Sequence, residues 1–281
     1  AERLGAQVNV YVANSNPDKQ LAQAKEAIAW GADVLVMAAA DASKTAPIVS
    51  CAQEHDIPLI AYDRLVTDPG IALYISFDNC MVGRLQAEYA LKAKPEGKYA
   101  IVCGPKRDFN SQLFHKGQME ILQPAIDNGQ IALVYDEYMG EWAEMEGYMA
   151  TTEILALHED VAAILTANDA LASGADMALM EYGLSGKVYL TGQDASLAGV
   201  QMLLDEKLGM NVYKPIKKLA QQAAQAALKL AQGEPVPGVA QQKLKGTELP
   251  VILLDVEPVT KENYKEVVID SGHIDPAELE R

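Results

Sequence analysis

The sequence predicts an α/β fold of two doubly wound parallel sheets, and three observations lead there. Short, near-continuous apolar runs recur along the 281 residues, helical patterns separate most of them, and polar side chains gather where the runs end. Runs that are apolar throughout suit parallel strands buried on both faces. Strand and helix units alternating at this length suit doubly wound sheets, and two sheets of about five strands suit the length better than one of ten.

In chain order the strand candidates are Val8–Val12, Asp33–Met37, Ile57–Tyr62, Leu73–Phe77, Tyr99–Cys103, Ile131–Tyr135, Ala162–Thr166, Val188–Thr191, Met210–Tyr213 and Val251–Leu254. Asn16-Pro17 is a helix start, a side-chain acceptor at the cap followed by a residue of fixed φ. Leu21, Ala24 and Ile28 then form one face, and Gly31 suits the left-handed stop. The Ala/Gln-rich stretch Ala220–Ala231 is helical, and Gln232–Gly238, rich in Gly and Pro, is a loop. Ala1–Gly5 reads as the last turn of a helix with its glycine stop. A doubly wound fold places a strand ahead of such a helix, so a first N-terminal strand is expected to be missing, either trimmed or supplied by another chain. Chain crossings between two lobes are expected near Gly104-Pro105-Lys106, Lys214-Pro215 and Leu254-Asp255.

Composition narrows the function. Apolar residues make up 49% and charged residues 22%, which is ordinary globular composition. No run approaches the roughly 18 apolar residues of a membrane span, and no signal peptide is read in these residues, which suits a cytoplasmic chain or a mature or trimmed exported one. The net charge of −16 repels phosphate backbones, so nucleic acid is not an expected partner. Cys51, Cys80 and Cys103 form neither a disulfide framework nor a CxxC site, and Cys103 reads as a buried, inert thiol. His55, His115, His158 and His273 are scattered without metal-ligand spacing, so neither a metal nor a cofactor is expected. There is no GxGxxG after a strand, no P-loop and no GxSxG. A glycosidase-like pair of Asp108 and Asp194 is conceivable, but contacts to a free sugar account for both carboxylates.

Ligands of open α/β sheets bind beyond the carboxyl ends of the strands. There the sequence places Asp63-Arg64, then Asp108 and Asn110 flanking Phe109, then Trp142, Asn168-Asp169, Gln193-Asp194 and Lys214. Planar amides, carboxylates and a guanidinium can each engage adjacent hydroxyls, and a Trp plane packs on the C–H face of a sugar ring. Taken singly, Asp63, Asn168 and Asp194 also suit helix N-caps, Arg64 a surface ion pair, Trp142 a rim aromatic and Lys214 a solvated side chain. Their joint position carries the sugar reading.

Leu59-Ile-Ala-Tyr-Asp-Arg64, Tyr74-Ile-Ser-Phe-Asp-Asn79, Ala167-Asn-Asp169, Thr191-Gly-Gln-Asp-Ala195 and Val212-Tyr-Lys-Pro-Ile216 resemble the D-xylose-binding proteins of bacterial ABC transporters, within the type I periplasmic binding proteins. The resemblance runs from Ala1 to about residue 272. It implies two Rossmann-like lobes joined by a three-strand hinge, with residues 1–104 plus 215–254 in the N-terminal lobe and 105–214 plus 255–281 in the other. It implies that Asp63 and Arg64 bind sugar hydroxyls from the first lobe and Asp108, Asn110, Asn168 and Asp194 from the second. Trp142 would stack on the ring and Lys214 would hydrogen-bond a hydroxyl. Lys106, Arg107 and Phe109 depart from the polar or small residues expected there; Phe109 would add an aromatic wall or brace the hinge. The expected protein is a monomeric, non-enzymatic receptor, periplasmic or extracellular, with a lipid anchor as one form it could take. It would close around a monosaccharide and present it to a membrane permease or a sensor kinase. The rival within the same fold is the effector domain of a sugar-responsive transcription regulator.

Overall fold

The computed structural model of the chain describes Glu2 and Gly5–Leu279. The helical turn read at the start therefore lies partly outside the described residues; at its end Gly5 takes φ +84° and its N–H reaches the Glu2 carbonyl at 2.9 Å.

The elements begin with α1 (Pro17–Trp30), β1 (Leu35–Met37), α2 (Ala46–Glu54), β2 (Leu59–Tyr62), β3 (Leu73–Phe77) and α3 (Asn79–Ala93). They continue with β4 (Gly97–Cys103), α4 (Phe109–Asp127), β5 (Ile131–Tyr138), α5 (Glu144–Leu157), β6 (Val161–Thr166), α6 (Asp169–Glu181) and β7 (Tyr189–Thr191). Last come α7 (Leu197–Leu204), β8 (Asn211–Tyr213), α8 (Ile216–Ala231), β9 (Ala240–Leu244), β10 (Thr247–Leu254), β11 (Glu257–Val259), a π-helical turn at Lys265–Ile269 and α9 (Pro276–Leu279).

The chain divides into two compact units. The first holds the described residues up to Phe77 together with Arg107–Phe109 and Pro215–Leu254; the second holds Asp78–Lys106, Asn110–Lys214 and the chain from Asp255. The first passage thus falls after Phe77, not near Gly104. The reason is hydrogen bonding: β4, expected in the first lobe, pairs in parallel with β5 and β6 of the second unit. Sequence alternation marks a strand but does not say which sheet receives it.

In the first unit the sheet order is β1-β2-β3-β10-β9, parallel except for the antiparallel edge strand β9. β3 is buried at all five positions, and full burial of Leu73 and Ile75 stabilises by about 1.5–3 kcal/mol each. The polar strand β9 is absent from the strands the sequence predicts. It joins β10 through Lys245 and Gly246, both with positive φ, as a tight hairpin whose twist matches the strands requires. α1 begins and ends as predicted, with the Asn16 side chain accepting the Lys19 N–H at 3.0 Å and Gly31 at φ +96°. Val8–Val12 is not a strand: no ladder among the described residues includes it, and Val10 is 83% exposed. An apolar run becomes a strand only where its backbone groups find a partner strand. Here the Val12 carbonyl accepts from the Gln23 side chain at 3.1 Å.

In the second unit β5-β4-β6-β7 form a wholly parallel sheet, and an isolated bridge, Thr191 to Met210, leads toward the antiparallel pair β8-β11. One face is covered by α3 and α4, with Ala87, Ala90, Leu122 and Ala125 packed on Tyr99, Ile101, Cys103 and Leu165. The two helices approach closely because each offers a glycine. A Cβ on Gly83 would lie 1.9 Å from the Phe114 carbonyl oxygen, and one on Gly117 would lie 2.0 Å from that of Cys80.

Candidate functional site

Each unit carries its own set of polar groups at strand ends. In the first, β2 ends at Tyr62 and Asp63 turns the chain with φ +61°, a conformation Asp tolerates. The turn is tied to β3. The Asp63 N–H donates to the Ile75 carbonyl at 2.8 Å, and its own carbonyl accepts from Ser76 Oγ at 2.6 Å and Tyr74 Oη at 3.2 Å. The half-buried Arg64 donates from Nη1 to the Ala39 carbonyl at 2.9 Å, and its Nε lies 3.2 Å from Oδ2 of the buried Asp108. Asp108, expected in the second lobe, therefore packs with the first unit and with Arg64. Next to it, the Phe109 ring lies 4.0 Å beneath the Lys245 ammonium. That favours bracing over an open aromatic wall.

In the second unit the predicted residues are linked by one they did not include, Phe114. Asn110 opens α4, buried, its Oδ1 accepting from Asn79 Nδ2 at 3.0 Å. One helical turn on, on the same face, Phe114 meets Trp142 edge-on, with centroids 6.4 Å apart at 64°. The indole lies over the backbone just beyond β4, where a Cβ on Gly104 would come within 2.0 Å of it. The buried Lys214, following β8, places Nζ 5.7 Å from the Phe114 ring centre and 3.4 Å from Asp194 Oδ1. Gln193, also buried, donates from its side chain to the Asp194 carboxylate.

Asp194 is not a helix cap; Ser196 caps α7. Asp194 and Ala195 instead take φ +101° and +48° in succession, unusual for residues with a side chain. Hydrogen bonds hold them there. Asp194 N–H reaches the Val212 carbonyl at 2.9 Å and Ala195 N–H reaches Asn211 Oδ1 at 3.0 Å. The fully buried Asp169 accepts from Ser196 N–H and Oγ, each at 2.7 Å, and from Asn211 Nδ2 at 2.6 Å. Burial, and then the neighbouring Asp194 charge, push the Asp169 carboxyl up to about 7 despite these donors. Asn168, just before it, does cap its helix: Oδ1 accepts the Leu171 N–H at 3.0 Å.

The structure thus brings Trp142, Lys214 and Asp194 into one contiguous run and places Asn110 one helical turn from it. It groups Asp63, Arg64 and Asp108 separately. Phe114 and Asn211 were not among the residues read at strand ends, and Asp169 and Gln193 were placed there without an assigned role. For Phe114 the available signal was its four-residue spacing from Asn110; for Asp169 it was the Asn168-Asp169 pair itself. The second unit thus offers a half-buried carboxylate, a buried ammonium, amides and an aromatic edge-to-face pair. That chemistry fits a small polyol with one apolar face.

A model of the periplasmic binding protein domain matches residues 1–235. The chain belongs to that family. It is a binding protein and not an enzyme. It is 39% identical over 273 residues to a D-xylose-binding periplasmic protein of Haemophilus influenzae, across 97% of this chain and 82% of that relative. It is 38% identical over 280 residues to the D-xylose-binding periplasmic protein of Escherichia coli, across 99% of this chain and 85% of that one. Among solved structures it resembles an ABC transporter solute-binding protein of Clostridium phytofermentans with bound β-D-glucose, with a TM-score of 0.90, 27% identity, and coverage of 99% and 92% of the two chains. None of its described helices is long and apolar enough to cross a membrane.

Proposed function

We propose that this binding protein is an exported, periplasmic receptor that captures D-xylose and delivers it to the permease of an ABC importer. The observation that carries the reading is the run Trp142, Phe114, Lys214 and Asp194, in which Trp142 and Asp194 follow the parallel strands β5 and β7. Two relatives named for D-xylose support it. Trp142 takes the C–H face of the ring, and Asp194 and Lys214 bond hydroxyls as acceptor and donor. Asn110 and Asn168 contribute amides, and in the first unit Asp63, Arg64 and Asp108 are hydroxyl-binding groups. Buried polar groups of this kind reject a sugar that leaves one of them unpaired.

The test is a thermal-shift titration with D-xylose, L-arabinose, D-ribose, D-glucose and D-galactose. A ligand of the folded state adds about 2.7 kcal/mol at a hundred times its dissociation constant, so one pentose is expected to raise the midpoint with dose. Asp194→Ala is expected to abolish that rise and to keep a cooperative melt. A cooperative melt indifferent to every sugar, or measurable turnover of a glycoside, would overturn the reading.

A further inference from the structure

On the face of the second sheet that α4 covers, three potential metal donors converge that sequence spacing does not reveal. Cys103 is the last residue of β4, His115 lies on α4 and Asp136 on β5, and one donor atom from each lies within 4.8 Å of the other two. Both Asp136 oxygens stand 3.0 Å from His115 Nε2. Cys103 is a free thiol, 1% exposed, whereas the His115 and Asp136 side chains keep 24% and 34% of their surface. The thiol therefore forms the floor of the cluster, and the imidazole and carboxylate form its solvent side.

The backbone builds this convergence. β4 and β5 pair in register from Gly97 opposite Ile131 to Tyr99 opposite Leu133, and then the register slips by one, so that Ala100 faces Tyr135, Ile101 faces Asp136 and Cys103 faces Tyr138. In uninterrupted alternation the residues after Ile131 and Leu133 on the α4 side would be 135 and 137. The extra residue turns Asp136 and Tyr138 to that side, and Tyr138 indeed packs on the cluster that contains Cys103. Tyr138 also flanks the imidazole, with ring centres 5.7 Å apart. A carboxylate has thereby been turned toward a thiol and an imidazole on the side of the sheet that α4 covers.

We propose that Cys103, His115 and Asp136 form a binding site for one Zn2+ ion, three protein ligands with a fourth position open to solvent. A thiolate, an imidazole and a carboxylate are the donors that select zinc over the hard cations, which prefer oxygen alone. A tetrahedral ion sets its ligand atoms roughly 3.3–3.8 Å apart, within reach of side-chain rotation from the present spacing. The ion would be bound by Nε2 of the neutral His115 imidazole, whose proton then sits on Nδ1. The thiol proton leaves to solvent. Burial raises the Cys103 thiol far above its usual range, with Asp136 and Glu137 adding to the effect.

The experiment titrates Co2+, then Zn2+, into the tag-free, chelator-stripped chain. We expect one equivalent of Co2+ to give tetrahedral visible bands and a thiolate charge-transfer band, both discharged by one equivalent of Zn2+. Zn2+ is expected to raise the thermal midpoint where Mg2+ does not. Cys103→Ser should abolish the charge-transfer band, and His115→Ala and Asp136→Asn, on the solvent side, should weaken Zn2+ binding by at least roughly 100-fold, the upper end of what losing a supporting partner of a ligand costs. Absence of the charge-transfer band in a natively melting protein overturns the site. So does its persistence in Cys103→Ser, or unchanged affinity in folded His115→Ala.

Discussion

Asp169→Asn separates the two roles of the carboxyl beneath the Asp194 loop, its charge and its shape. In the folded chain this carboxyl holds its proton up to about pH 7, against 3.8 for an ordinary aspartate. Below 3.8 both folded and unfolded chains are protonated, and the stabilisation is fully present. As pH rises from 3.8 towards 7 the unfolded chain releases its proton while the folded chain retains it. Stability therefore falls, by at most about 1.4 kcal/mol per pH unit, and levels off above 7. The interval between the two values bounds the total at roughly 4 kcal/mol. The amide introduced by Asp169→Asn cannot titrate and removes this slope. It also presents an N–H either to the Ser196 donors or to Asn211 Nδ2, leaving at least one donor unsatisfied. The cost is about 1–3 kcal/mol at acid pH.

The assay is urea unfolding at pH 5, 6, 7 and 8 in a Trp30→Phe background, so that Trp142 alone reports the second unit. The quantity read is the difference between the chains with and without Asp169→Asn, in which the other carboxylates cancel. Relative to its parent the variant should gain stability between pH 5 and 7, by at most about 2.7 kcal/mol, and the difference should level off above pH 7. Its sugar affinity at pH 7 should fall by at least about tenfold, because Ser196, which follows the loop, or Asn211, whose side chain holds the Ala195 N–H, loses its hydrogen bond to residue 169. Parallel stability curves from pH 5 to 8 would refute the account of Asp169.

Three further substitutions probe the frame around the site. Gly104→Ala places a Cβ 2.0 Å from the Trp142 ring; calorimetry should show sugar affinity lowered at least about tenfold, while overpacking costs only about 1–3 kcal/mol in urea. Gly117→Ala drives a Cβ to 2.0 Å from the Cys80 carbonyl oxygen and should destabilise by about 3 kcal/mol or more, since backbone cannot step aside as a side chain can; an unchanged urea midpoint would count against the close approach of α3 and α4. Gln86→Leu leaves the Thr166 and Gly192 carbonyls and the Gln118 amide without their present partner, which should lower the midpoint by the equivalent of at least about 2 kcal/mol.

What the sequence exposed and what it hid divide along one physical line. Apolar runs in β2, β3, β4 and β6 were legible because a parallel strand buried on both faces needs no alternation to be recognised. Val8–Val12 has the same composition and forms no strand, since ladder partners are supplied by tertiary structure. β9 was missed for the opposite reason: an edge strand of Gln, Gln and Lys exposes its side chains and is held by its pairing with β10 alone. The assignment of β4 to the second sheet is likewise a fact of pairing and not of pattern. In the site, charged and amide residues directly after strands could be found by position. Asn211 could not, nor could the partnership of Asp169 with it, because the two lie 42 residues apart and acquire that role only when burial makes each the other's partner. Two successive positive-φ residues such as Asp194 and Ala195 carry no glycine to announce them, so that loop is set by hydrogen bonds from outside it. The residues proposed to touch the sugar were thus within reach of sequence reasoning, whereas those that hold them in place are defined by long-range contacts. It is among the latter that substitutions should alter affinity without touching the sugar.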